Sequence, residues 1–278
     1  MAIPDYQTFM LPVLRAVAGG VDDEVMSVWE MTILKHSLCN IPFGFDRDML
    51  CDIMSARVIA RSRGMMEQRL MDPLANDILT FWFETTDLST NLEKRALWFR
   101  ATPDFDRQLI TRYTDVHKRA RSGALDNFKN SPEECLALIM SLDQFPRNIF
   151  RGTARAFATD EKARDIARYA LDQGYDKHFS RWPKTFCYLP FEHSEDLADQ
   201  ERAIVLYEGL NNEESLKSAI GHHDAIKRFG RFPHRNKAMG RQNTPEEEEY
   251  LKDPPLWGKT AAEIDKLEKQ KAARDTPE

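Results

Sequence analysis

Cysteine is scarce in this chain, and the four present, Cys39, Cys51, Cys135 and Cys187, include no Cys-x-x-Cys pair. They do not form a disulfide framework or a thiolate metal site, and they read as reduced thiols in a reducing compartment. No run approaches the roughly 18 to 20 apolar residues of a membrane helix. The beginning shows no basic stretch followed by an apolar one, so the expected location is the cytoplasm. Positive charge is also in deficit: 39 Lys and Arg against 45 Asp and Glu leave a net charge of −6. The basic footprint of a general nucleic-acid binder is missing, and nucleic acid is not an expected partner. Period-2 alternation is nearly absent, which argues against sheets. No His-Glu-x-x-His motif occurs, so neither a metal nor a cofactor is assigned.

What is present is helical. With 42% hydrophobic and 30% charged residues, the chain can bury one substantial core and carry a smaller appendage. Asp72-Pro73 and Thr102-Pro103 each read as an N-cap followed by Pro in the first turn. Gly123 reads as the stop of the second helix, and Ser131-Pro132-Glu133-Glu134 as a capping box before an all-round apolar helix. Thr159 and Ser194 mark two further starts, and another helix runs from about Glu213 to Phe229. The expected class is all-α, an antiparallel array of seven to nine helices over residues 72–252. Residues 1–71 form an appendage that is helical in part, and residues 253–278 a charged tail, either a solvated helix or frayed. The aromatic cluster Phe81, Trp82, Phe83, Trp98 and Phe99 is assigned to the core.

Two segments resemble one another. Phe145-Pro146-Arg147-Asn148 and Phe232-Pro233-His234-Arg235-Asn236 each lead to a glycine four residues after the Asn, Gly152 and Gly240. Pro is expected to end each helix there, with Asn and Gly in the turn, so that Arg147, Arg151, Arg228, Arg231, Arg235 and Arg241 gather near one spot. Asp143, Glu192 and Glu195 are the expected internal partners of these cations. A third corner, at 188–196, sets His193 between carboxylates, and His222 faces inward toward the second Arg corner. His193, His222 and His234 are therefore expected to converge. A closed salt-bridge network, an anion pocket, a metal site and acid–base chemistry all remain open for this cluster. Cys187 as a nucleophile has no local motif behind it.

The blocks LDQFPRNIFRGTARAFATD (142–160), YLPFEHSEDLADQE (188–201) and RFGRFPHRNKAMGR (228–241) resemble the signature blocks of the bacterial domain of unknown function 924 family, from about Pro73 to Leu251. The resemblance implies an all-helical, tetratricopeptide-like fold and no established activity. Phe128 stands where the family carries a tryptophan. The opening IPDYQTFMLPVLRAVAGG (3–20) is similar to the first helix of the N-terminal domain of Mrr-type restriction enzymes. A fusion, or a start near Met65, Met66 or Met71, would account for the break that follows.

Three functional readings follow. The first is a binding module for a small anionic molecule or an acidic peptide end, with Asp143, Arg147, Asn148, Arg151, Glu192, Glu195, Arg228, Arg231, His234, Arg235 and Asn236 at the ligand. The second is a hydrolase or transferase using His193 or His222 as general base, and the third an interaction scaffold. Oligomeric state is left open.

Overall fold

Nine α-helices connected by short links and 3₁₀ turns account for most of residues 71–275, the residues that this computed structural model describes. They are α1 (Pro73–Phe83), α2 (Pro103–Ser122), α3 (Pro132–Ile149), α4 (Asp160–Asp172), α5 (Arg181–Glu192), α6 (Leu197–Glu208), α7 (Glu213–Phe229), α8 (Pro245–Tyr250) and α9 (Ala261–Asp275). Among the described residues there is no strand, only an isolated bridge between Ala101 and Thr260. No helix there is long and apolar enough to cross a membrane. The readings made for residues 1–70, including the helix broken near Pro12, the similarity to Mrr-type enzymes, Cys39 and Cys51, lie outside the described residues.

The start signals work as their chemistry requires at two positions. The Asp72 carboxylate accepts from the Leu74 amide at 2.8 Å, the Thr102 hydroxyl accepts from the Phe105 amide at 3.2 Å, and a Pro occupies the first turn of each helix. Gly123 closes α2 at φ 89°, a left-handed conformation in which a Cβ would be strained.

Four local expectations fail. Ser131 and Thr159 stand at N-cap positions without making a side-chain cap. Helix α6 begins at Leu197 behind an Asp196 cap, while Ser194 instead donates to Asp199 at 2.8 Å. Pro146 lies inside α3 rather than ending it, just as Pro190 is carried within α5. At Pro146 the reason is visible: a Pro nitrogen cannot donate to the carbonyl four residues back, and the Leu142 carbonyl so released accepts the Thr159 hydroxyl at 2.6 Å.

Helix α3 is buried on nearly every side and packs against α1, α2, α4 and α5. Trp82, Phe145 and Phe186 form the aromatic centre, with ring centroids 5.9 Å and 5.5 Å from Trp82, and Phe128 is buried in the same core. Helices α5, α6 and α7 then pack consecutively. The charged C-terminal stretch is more structured than its composition suggests. Helix α9 docks through Ile264, which is 3% exposed, and Arg100 pairs with Asp265 and Glu268 on it.

Candidate functional site

A cavity of about 410 Å³ opens between α3, α5, α7 and the segment leading into α9. Helix α5 presents Trp182, Thr185, Leu189 and then Glu192 and His193 to it, a stripe at helical spacing. Helix α7 contributes Glu214, Ser215, Ser218 and His222 on the same principle. Lys94 pairs with Glu214 at the start of α7, and His222 lies 2.9 Å from Glu192 near the end of α5. Since Lys94 also lies over the Trp182 ring, the two stripes run in the same direction along the wall.

Two imidazoles each stand against a buried carboxylate, and His222 Nδ1 also lies 2.9 Å from the Ser218 carbonyl of its own helix. His193 Nδ1 lies 2.8 Å from Oδ1 of Asp143, and His222 Nδ1 lies 2.9 Å from Oε1 of Glu192. Asp143 is wholly buried and Glu192 nearly so. Ser218 donates to Glu192 at 2.7 Å, and Gln144 donates to Asp143 at 2.5 Å. With Nδ1 engaged in each ring, Nε2 has no hydrogen-bond partner among the described residues, and both histidines line the cavity. The ring centroids stand 6.2 Å apart.

Burial, which disfavours the charged form, holds the His193 pKa below the ordinary imidazole value, and the Arg147 guanidinium adds to this against the opposing pull of Asp143. Burial pushes the other way on Asp143 and Glu192. It is outweighed by Arg147 and His193 at Asp143 and by His222 at Glu192, so both carboxyls sit below their usual range.

The two corners at Phe145-Pro146 and Phe232-Pro233 meet through a residue not singled out in the sequence. Arg147 makes a two-pronged pair with Asp160, at 3.0 and 3.1 Å, as well as a contact to Asp143 at 3.2 Å. Arg235 reaches the same Asp160 at 3.4 Å. Arg235 is 5% exposed and lies between the Phe157 and Phe232 rings, and burial followed by the repulsion of Arg147 pulls its pKa down to about 10. Asp160 falls in the first turn of α4, where a carboxylate is favoured by the helix dipole.

The remaining sequence-selected residues divide clearly. Arg151 and Asn148 both bond Asp106 and line the cavity. Arg231 pairs with Glu247 at 2.7 Å, its hydrogen bonds drawing that carboxyl down to about 2. Arg241 pairs with Glu195 and exposed Arg228 with Glu246, while Asn236 donates to Asn243. None of these belongs to the cavity wall, and neither do His234 and Arg235. His234 packs beside Phe232 and Trp257, where burial and then Arg235 lower its pKa to about 2. The carboxylate on His193 is Asp143 rather than Glu192 or Glu195, and Glu192 serves a histidine rather than an arginine. Cys187 is wholly buried and its thiol is pushed well above the ordinary value by burial, which leaves no accessible thiolate. No group of three or more His, Cys, Asp or Glu among the described residues could hold a metal ion.

Sequence reading missed the outer wall. Trp257 stacks on His222 with ring centroids 3.6 Å apart, and Gly221 lets it do so, since a Cβ there would meet the indole at 3.1 Å. Lys259 follows on the same segment, without an ion-pair partner among the described residues, and the Gly258 carbonyl accepts from Arg151 at 2.8 Å. A large aromatic residue within a Lys- and Glu-rich stretch was the available signal. Phe99, assigned to the core, is 41% exposed and lines the cavity.

Residues 78–255 match the family described as bacterial protein of unknown function, DUF924. A solved structure, that of a protein of unknown function, ATU0120, from Agrobacterium tumefaciens, is 42% identical to this chain. The similarity covers 65% of this chain and 97% of the other, with a TM-score of 0.60. No curated protein matches. The match over residues 78–255 spans well over half of the 278 residues, so this chain belongs to the DUF924 family of bacterial proteins.

Proposed function

We propose that the cavity binds a small anionic molecule, with His193 and His222 as orienting groups and Lys259 as its charge partner. The observation that carries this reading is the pair of carboxylate-held imidazoles with unengaged Nε2 atoms on one cavity of about 410 Å³, a volume typical of small-molecule sites. The charge balance of the wall indicates which cation does the binding. Arg147 is offset by Asp143 and Asp160, Arg151 by Asp106, Arg100 by Asp265 and Glu268, and Lys94 by Glu214. Lys259 makes no ion pair among the described residues, Glu263 acting on it only from beyond contact distance, so an incoming carboxylate or phosphate gains most there. Arg147 and Arg151, expected at the ligand, are in this reading wall residues held by those carboxylates. The buried free thiols Cys135 and Cys187 suit a reducing cytoplasm.

The experiment is a thermal-shift titration with acetate, benzoate and inorganic phosphate at constant ionic strength. At least one should raise Tm in the intact chain, and Lys259→Ala should remove that rise while leaving the ligand-free Tm nearly unchanged. Absence of any rise, or a rise that survives Lys259→Ala, sinks this assignment.

A second reading, acid–base catalysis, is favoured by the Asp143–His193 contact. A carboxylate on Nδ1 fixes the tautomer and leaves neutral Nε2 able to take a proton from water or a hydroxyl. A hydrolase activity lost in His193→Ala but retained in His234→Gln would support it. A broad esterase, amidase and phosphatase screen with no His193-dependent signal would exclude it.

A further inference from the structure

The cavity has two chemically different ends. Along α5, Trp182 and His193 are eleven residues apart, a rise of about 16 Å. The imidazoles and Arg147 stand at one end. At the other lies a continuous aromatic floor, in which Trp98, Phe99 and Trp182 have centroid separations of 5.5, 6.0 and 6.5 Å, backed by Phe186. Trp98 and Trp182 are buried, whereas Phe99 is 41% exposed and lines the cavity. Removing such a face from water is favourable, and a ring is the partner that gains most from it, because stacking adds to simple area burial. One face of Phe99 lies parallel to Phe186, at 15° and 6.2 Å. Over the Phe99 ring stands the Lys94 ammonium, 5.1 Å from its centroid. That ammonium is held by Glu214, whose side chain is 67% exposed, and a solvated pair of this kind is readily displaced.

We infer that the ligand is an elongated aryl acid, its ring seated on Phe99 beside Trp182 and its carboxylate directed toward His193 and His222; this presupposes the anionic-ligand reading of the same cavity. The physical requirement is complementarity at both ends at once. A short acid such as acetate reaches only the polar end, and a purely aliphatic tail covers Phe99 without the stacking contribution.

Isothermal titration calorimetry on the full chain with 5-phenylpentanoate, its 5-cyclohexyl analogue and acetate separates these cases. The phenyl acid should bind about three- to tenfold tighter than the cyclohexyl acid, the range that aromatic stacking supplies beyond burial. Phe99→Leu, which preserves apolar bulk, should bring that ratio to about one and leave acetate binding unchanged. Equal affinity of the phenyl and cyclohexyl acids for the intact chain, or a ratio that persists in Phe99→Leu, overturns the aromatic end and leaves the anion site standing. Failure of all three acids to bind overturns the aryl-acid ligand, and failure of inorganic phosphate in the same titration overturns the anion site as well.

Discussion

Asp160 carries more of the site than any residue selected from the sequence. Its two oxygens hold Arg147 in a two-pronged contact, and one of them also faces Arg235, a guanidinium whose Nε has no hydrogen-bond partner and whose neighbours are aromatic. Removing the negative charge would leave two buried cations repelling each other with one carboxylate, Asp143, still within reach of Arg147. A broken buried pair of this sort typically costs about 3–5 kcal/mol. Asp160→Asn should therefore lower the urea unfolding free energy by roughly that amount, whereas Glu246→Gln, which breaks an exposed pair with Arg228, should cost no more than about 1 kcal/mol. Comparable losses in the two variants would contradict the bridging role of Asp160.

At the level of elements, the decisive feature is that α3 continues through Pro146. The Pro would be expected to end the helix because its ring nitrogen has no proton to donate. The helix persists because Thr159, from the turn before α4, supplies the missing donor to Leu142. This keeps Arg147 and Asn148 on the helical stripe that faces the cavity. In Thr159→Val the shape is kept and the hydroxyl lost, leaving the Leu142 carbonyl buried without that bond. The expected cost is about 1–3 kcal/mol. Denaturant unfolding gives the size of the loss, and amide exchange at Phe150, which bonds back to the Pro146 carbonyl, reports whether the end of α3 frays. Unchanged stability and protection would mean that the helix tolerates Pro146 unaided.

For the molecule as a whole, buried ionisable groups set the response to acid. His117, His193 and His234 all have pKa values below the unfolded imidazole value of about 6.5, with burial the leading cause in each. Between that value and their folded values the unfolded chain binds more protons, so stability is fully present above pH about 6.5 and declines as pH falls below it. A second decline follows below pH about 4.5. There the carboxyls of Asp143, Glu192, Glu195 and Glu247, all depressed in the fold, are protonated first in the unfolded chain. Urea midpoints measured at pH 7.5, 6 and 5 should fall steadily, and His234→Leu should flatten the profile. A constant midpoint across that range would show that these imidazoles titrate normally in the fold.

The all-helical class, the starts at Asp72-Pro73 and Thr102-Pro103 and the stop at Gly123 were legible from residues alone, because capping and 3.6-residue periodicity are local properties. The three signature corners were also visible as unusual mixtures of Pro, Arg, His and aromatic residues. Sequence could not assign partners among them. Which carboxylate meets His193, why Asp160 serves two arginines and why Arg231 and Arg241 turn to Glu247 and Glu195 depend on how separate helices approach one another. The outer wall at Trp257 and Lys259 likewise exists only once the C-terminal segment returns to α7, a long-range contact that no local pattern encodes. Short-range chemistry determined the helices, whereas packing of distant segments decided the charge pairing, and with it which of many candidate groups face the cavity.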